Sequence, residues 1–112
     1  MLAEGLRPTI WPMFIAWTTV ATREDADRLA AEAVARGLAA CVQVEPVVSH
    51  YLWEGKQERT EELRLAFKCL PEKLPELEAF VLGAHPYATP EWIALRADRV
   101  SEKYLSWAEK GR

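Results

Sequence analysis

At 112 residues the chain has room for one hydrophobic core and reads as a single domain. A net charge of -3 excludes broad nucleic-acid binding, which needs clustered Lys and Arg to neutralise phosphates, and no apolar run approaches the length that spans a membrane. Half of the residues are hydrophobic and five are Trp, more than one small core easily hides, so an oligomer interface is favoured.

Residues 1–8 are expected to be a disordered extension, with one domain over 9–112. The stretch from Arg7 through residues 10–17 to Thr19, Val20 and Ala21 faintly mimics a signal peptide. Glu4 and Pro12 interrupt that pattern, and cleavage there removes a strand. Residues 13–19 are aromatic and β-branched apart from Ala16, which predicts a buried first strand. Thr22 followed by Arg23, Glu24 and Asp25 predicts a capped helix start. Ala26, Leu29, Ala30, Ala33 and Val34 recur at helical spacing, so they form the stripe that faces the sheet, and Gly37 ends the helix.

Residues 40–53 are β-rich, and Pro46 marks a sheet edge or a bulge. Gly55 marks a turn. Leu63, Leu65 and Phe67 alternate with Glu62, Arg64 and Lys68, as in a strand with one buried and one polar face. A second helix opens between Pro71 and Pro75 with a stripe of Leu70, Leu74, Leu77, Val81 and Ala84. Residues 92–97 give the last strand, and Ser101 caps a short terminal helix carrying Tyr104, Leu105 and Trp107. The order β-α-β-β-α-β plus a helix predicts an α+β, ferredoxin-like sandwich with the helices on one face of four antiparallel strands.

The two cysteines form no CxxC or zinc-ribbon spacing, so reduced thiols in a cytoplasmic setting are the simpler expectation. If the hairpin turns symmetrically about Gly55, Cys41 faces Cys69; a bulge at Pro46 would break that register. There is no GxSxG, HExxH or phosphate-binding GxxxxGK[ST] run, and neither histidine has a nucleophile or acid that spacing places beside it. The expectation is binding without turnover. A hydrolase or transferase reading would have to use Glu62, Lys68 and His85 together.

Three runs stand in order along the chain: Leu38-Ala39-Ala40-Cys41-Val42, Ser49-His50-Tyr51-Leu52-Trp53-Glu54-Gly55-Lys56, and His85-Pro86-Tyr87-Ala88-Thr89-Pro90-Glu91. Together they resemble the CutA divalent-cation-tolerance family. The resemblance implies a tight homotrimer with strands paired between subunits, a link to copper or another divalent metal with no obligatory cofactor, and His85 and Cys41 as the metal ligands. It also implies a cleft between subunits holding Tyr51, Trp53, Glu62, Lys68 and Tyr87, able to bind a small anion or metal. Some members carry a further cysteine at the end of the first strand, where this chain has Thr18. The alternative function is a metabolite sensor like the PII signal proteins, which long ligand-clasping loops would support.

Each site residue also has a plainer role. His85 follows a helix, whose negative end favours an imidazolium without any ligand. Cys41 and Cys69 suit small buried positions in strands, and Tyr51 and Trp53 suit hairpin aromatics buried at a subunit contact. Strand alternation alone makes Glu62 and Lys68 parts of one solvated face.

Overall fold

The computed structural model describes residues 11–110, so the expected extension at 1–8 lies outside the described residues. The elements are β1 (Met13–Val20), α1 (Arg23–Ala35), β2 (Cys41–Trp53), β3 (Lys56–Cys69), α2 (Leu74–Ala84), β4 (Ile93–Ala97) and α3 (Glu102–Lys110), with a 3₁₀ turn at Pro71–Lys73 before α2. The strands form one antiparallel sheet in the order β2-β3-β1-β4. That is the split βαβ topology read from the element order.

Local chemistry sets the ends of these elements. The Thr22 hydroxyl accepts from the Asp25 N–H at 3.1 Å, and Glu24 and Asp25 sit at the positive end of α1. Gly37 takes a left-handed φ of 71° after α1. Pro75 is tolerated because it falls in the first turn of α2. The Ser101 hydroxyl meets the Tyr104 N–H at 3.4 Å at the start of α3.

One sheet face carries Ala16, Val20, Leu65, Phe67 and Cys69, all without exposure, and α1 and α2 cover it with Ala26, Leu29, Ala33, Leu77 and Val81. Val34 leaves the expected stripe and is exposed. It lies one residue, about 100° of helix rotation, past the buried Ala33.

Glu54 and Gly55 close the hairpin with φ values of 51° and 82°, as a two-residue turn of the I′ kind requires. Trp53 therefore pairs with Lys56, and the register runs unbroken through Pro46, opposite Leu63, to Cys41, opposite Lys68. Pro46 marks an edge strand and no bulge. The symmetric turn about Gly55 is thus corrected by one position, and that slip sends the two cysteines to opposite faces. Cys69 faces Phe14 of β1 within the core, while Cys41 lies on the second face beside Lys68.

The β1–β3 pairing stops at Val20 and Leu63, whereas β2 and β3 continue to Trp53 and Lys56. The hairpin consequently projects as an arm and stretches the molecule to 55 × 28 × 22 Å. Leu52 and Trp53 near its tip, and Ile93 and Leu95 on β4, are large apolar residues left exposed.

Candidate functional site

The site forms where the arm leaves the sheet. Glu62 is the first β3 residue past the last β1–β3 pair, so it stands just beyond the end of β1. His85 caps α2 with an extended backbone, φ -72° and ψ 136°, and starts the segment that crosses this end of β1.

His85 is held on both ring nitrogens. The Tyr87 backbone N–H donates to Nδ1 at 3.1 Å, and Nε2 lies 3.0 Å from both the Thr18 hydroxyl oxygen and the Thr19 carbonyl oxygen. A backbone N–H can only donate and a carbonyl can only accept, so Nδ1 is bare and Nε2 carries the proton. The Thr18 hydroxyl donates to the Glu91 carbonyl at 2.6 Å and keeps lone pairs for Nε2–H. Thr18 thus gives His85 a hydroxyl partner.

The imidazolium expected from the helix end is therefore replaced by a neutral ring. Burial lowers the His85 pKa below 6.5, outweighing the Thr19 hydrogen bond and the charges of Asp25 and Glu62, which raise it; Arg28 lowers it further. An unfolded chain takes this proton near 6.5, and the folded one only at lower pH. The His85 contribution to stability is thus complete above 6.5 and is lost as pH falls through the folded value. We expect His85→Gln to flatten the loss of thermal stability just below pH 6.5, measured beside wild type at one protein concentration. An unchanged acid slope would show that another group carries it.

Glu62 is a second hub. Its Oε2 accepts from the Tyr87 hydroxyl at 2.7 Å and its Oε1 from the Ser49 hydroxyl at 2.7 Å. Burial raises the Tyr87 phenol pKa strongly, and the hydrogen bond to Glu62 and that carboxylate's charge raise it further. The Tyr51 and Thr60 hydroxyls are 2.9 Å apart. Tyr87 thus binds both hubs, His85 through its backbone and Glu62 through its side chain, and its ring centroid lies 4.9 Å from that of His85.

A cavity of about 340 Å³ opens beside this latch, lined by Tyr51, Trp53, Glu58, Tyr87, Ala88 and Thr89. One of about 360 Å³ touches Glu62 together with Val47, Val48 and Leu63. Another, of about 460 Å³, lies at the arm and is lined by His50 and Arg59 but by neither hub.

Glu62, Tyr87 and His85 meet at one end of the sheet, with Tyr51 and then Trp53 farther out along the arm. Lys68 and Cys41 are at the other: Lys68 is on the same face of β3 as Glu62 but six residues away, roughly 20 Å of strand. There Lys68 faces Cys41 and sits 5.8 Å from the Tyr104 ring centroid. Burial raises the Tyr104 pKa, and its contact with Cys41 raises it further. Among the described residues no three His, Cys, Asp or Glu side chains assemble as a metal-binding group. Sequence reasoning passed over Ser49, Thr60, Thr18 and Thr19 as partners; reading Glu54-Gly55 as a two-residue turn is the signal that could have found the first two, since that register brings Ser49 beside Glu62 and Tyr51 beside Thr60.

Comparison with known proteins gives the family. The family model described as CutA1 divalent ion tolerance protein matches residues 14–111. The chain belongs to this CutA family. A divalent-cation tolerance protein CutA from Archaeoglobus fulgidus is 33% identical over 94 residues, covering 84% of this chain and 92% of that one. The solved structure of CutA from Synechococcus elongatus PCC7942 is 38% identical, covers 88% of each chain and superposes with a TM-score of 0.85. The Archaeoglobus structure, described as periplasmic, is 32% identical with a TM-score of 0.84, covering 88% of this chain and 96% of that one. Family names of this kind denote tolerance proteins. Among the described residues no helix is long and apolar enough to cross a membrane.

Proposed function

We propose that the protein serves divalent-cation tolerance as a homotrimeric binding module in the cytoplasm, taking copper or another borderline divalent ion weakly and without turnover. The observation that carries this reading is the double hold of Tyr87. Its N–H occupies the one lone pair of the neutral His85 ring, and its hydroxyl occupies one oxygen of Glu62. Moving this single residue frees an imidazole nitrogen and a carboxylate oxygen together, a donor set that suits copper or zinc better than magnesium or calcium. Breaking two hydrogen bonds to do so keeps affinity low. Cys41 and Lys68 join such a site only from another subunit.

Assembly is supported by the long β2 edge, the exposed Ile93 and Leu95, and the apolar arm. Free thiols at Cys41 and Cys69 suit a reducing compartment. A metabolite sensor with clasping loops finds little support in a hairpin closed by two residues. The test is calorimetric titration with copper and zinc of a sample whose light-scattering mass is three times the 12.7 kDa chain. His85→Ala should abolish the binding isotherm, and Cys41→Ser should reveal whether a neighbouring thiol takes part. A monomer, or an isotherm unchanged in His85→Ala, would overturn the reading. His50→Ala controls for adventitious binding at the exposed hairpin imidazole.

A further inference from the structure

We propose that Thr18 is a positioning residue for Tyr87: its hydroxyl staples together the two feet of the strap formed by residues 86–90 and so holds the latch over His85 and Glu62 shut. This rests on the metal reading above and deepens it by naming what controls access to the ligand groups. Thr18 stands on the core face of β1 opposite Leu65 and has no exposed surface, so it is enclosed within one subunit whatever the assembly. A buried hydroxyl is costly without partners, and this one has two. It donates to the Glu91 carbonyl at 2.6 Å, and its oxygen lies 3.0 Å from His85 Nε2, whose proton it shares with the Thr19 carbonyl. His85 precedes the strap and Glu91 follows it. One atom therefore fixes the distance between the feet.

Between the feet few torsions are free. Pro86 and Pro90 have locked φ angles, and His85 and Thr89, each preceding a proline, are biased to extended backbone. Tyr87 accordingly leaves Glu62 and His85 most easily when a foot moves. The His85 foot is fixed by the end of α2 and by Thr19. Beyond the other foot, Trp92 is anchored by its ring near Phe67 and by its indole N–H, which donates to Glu78 at 2.9 Å. The Glu91 peptide lies between that anchor and the strap, and Thr18 supplies the side-chain hydrogen bond that holds it. An ion that needs His85 Nδ1 and a Glu62 oxygen binds only the open strap, so its apparent affinity is reduced by the fraction of molecules that are open. Removing the staple raises that fraction.

The test compares full-length Thr18→Val, which keeps the shape and loses the hydroxyl, with Thr18→Ser, which keeps the hydroxyl. Without metal, the Tyr87 amide should exchange with solvent about ten-fold faster in Thr18→Val than in wild type. In calorimetry, zinc should bind Thr18→Val at least about five-fold more tightly than wild type even though the variant melts lower, an outcome that a merely structural role does not produce. Thr18→Ser should bring both quantities back to within about two-fold of wild type. A lower melting temperature with unchanged Tyr87 exchange would reduce Thr18 to a core hydroxyl and remove the staple, as would zinc binding no tighter than in wild type. If Thr18→Val does not fold, Thr18→Ala reads the same loss with less bulk. In wild type itself the Glu91 carbonyl ¹³C resonance should move with the Tyr87 amide as zinc saturates, and a stationary Glu91 would also remove the staple. Wild type that takes no zinc at all fails the metal reading instead, and the exchange measurement then decides the staple alone.

Discussion

Glu62→Gln is expected to lower the affinity for copper or zinc at least about ten-fold while leaving the fold and the assembly in place. The glutamine keeps the shape of the side chain and removes its charge. Its one carbonyl oxygen cannot serve the Tyr87 and Ser49 hydroxyls as the two carboxylate oxygens do, both at 2.7 Å. Because charge-assisted hydrogen bonds contribute about twice what neutral ones do, a stability loss of about 1 kcal/mol is expected at this half-buried position. The affinity loss is larger because a neutral amide is a poor ligand for these ions. Calorimetry reads the first effect and thermal denaturation the second; equal copper isotherms for the two proteins would show that the carboxylate is not a ligand.

The largest stability effect is expected from Phe67→Ala, about 3–5 kcal/mol. Phe67 has no exposed surface, stands near the C-terminal end of β3 opposite Ala16 in the core that the helices cover, and its ring centroid is 6.1 Å from that of Trp92. The cavity left behind is enclosed by a sheet on one side and helices on the other, so it cannot collapse cheaply. Val34→Ala, at an exposed helix position, should fall within about 0.5 kcal/mol of wild type. Denaturant melts at one fixed protein concentration check both, since oligomer stability depends on concentration. A Phe67→Ala loss no larger than that of Val34→Ala would contradict the core described above.

The parts of this structure that local chemistry decides were readable. Thr22, Gly37 and Pro75 each act within a few residues of themselves, and the alternation of Leu63, Leu65 and Phe67 needs only the period of a strand. The register of the arm was harder: whether two or three residues form the turn moves Cys41 from opposite Cys69 to opposite Lys68, and Gly55 alone does not say which. Glu62 and Lys68 are a different case: six residues of one strand hold them roughly 20 Å apart whatever the register, so only residues from elsewhere can bring them to one site.

The state of His85 was out of reach for a different reason. Its tautomer is set by Thr18 and Thr19, more than sixty residues earlier, and by the backbone N–H of Tyr87, a donor that every residue except proline possesses. Nothing in the His85-Pro86-Tyr87 run marks that N–H as aimed at the ring. The Tyr87 phenol, by contrast, lay within a motif, and only its partner Glu62 had to be supplied by the fold.

The central claim is that Tyr87 guards two ligand groups that a divalent ion takes together. It is tested most directly by following zinc titration with ¹⁵N and ¹³C NMR at three places: His85 Nδ1, the Glu62 side-chain carboxyl carbon, and the Tyr87 amide. The predicted result is that all three resonances move along one saturation curve, with the Tyr87 amide losing its hydrogen-bonded shift as Nδ1 binds. Zinc that saturates the protein while His85 and Glu62 stay unmoved, with the response confined to Cys41 or His50, would contradict it.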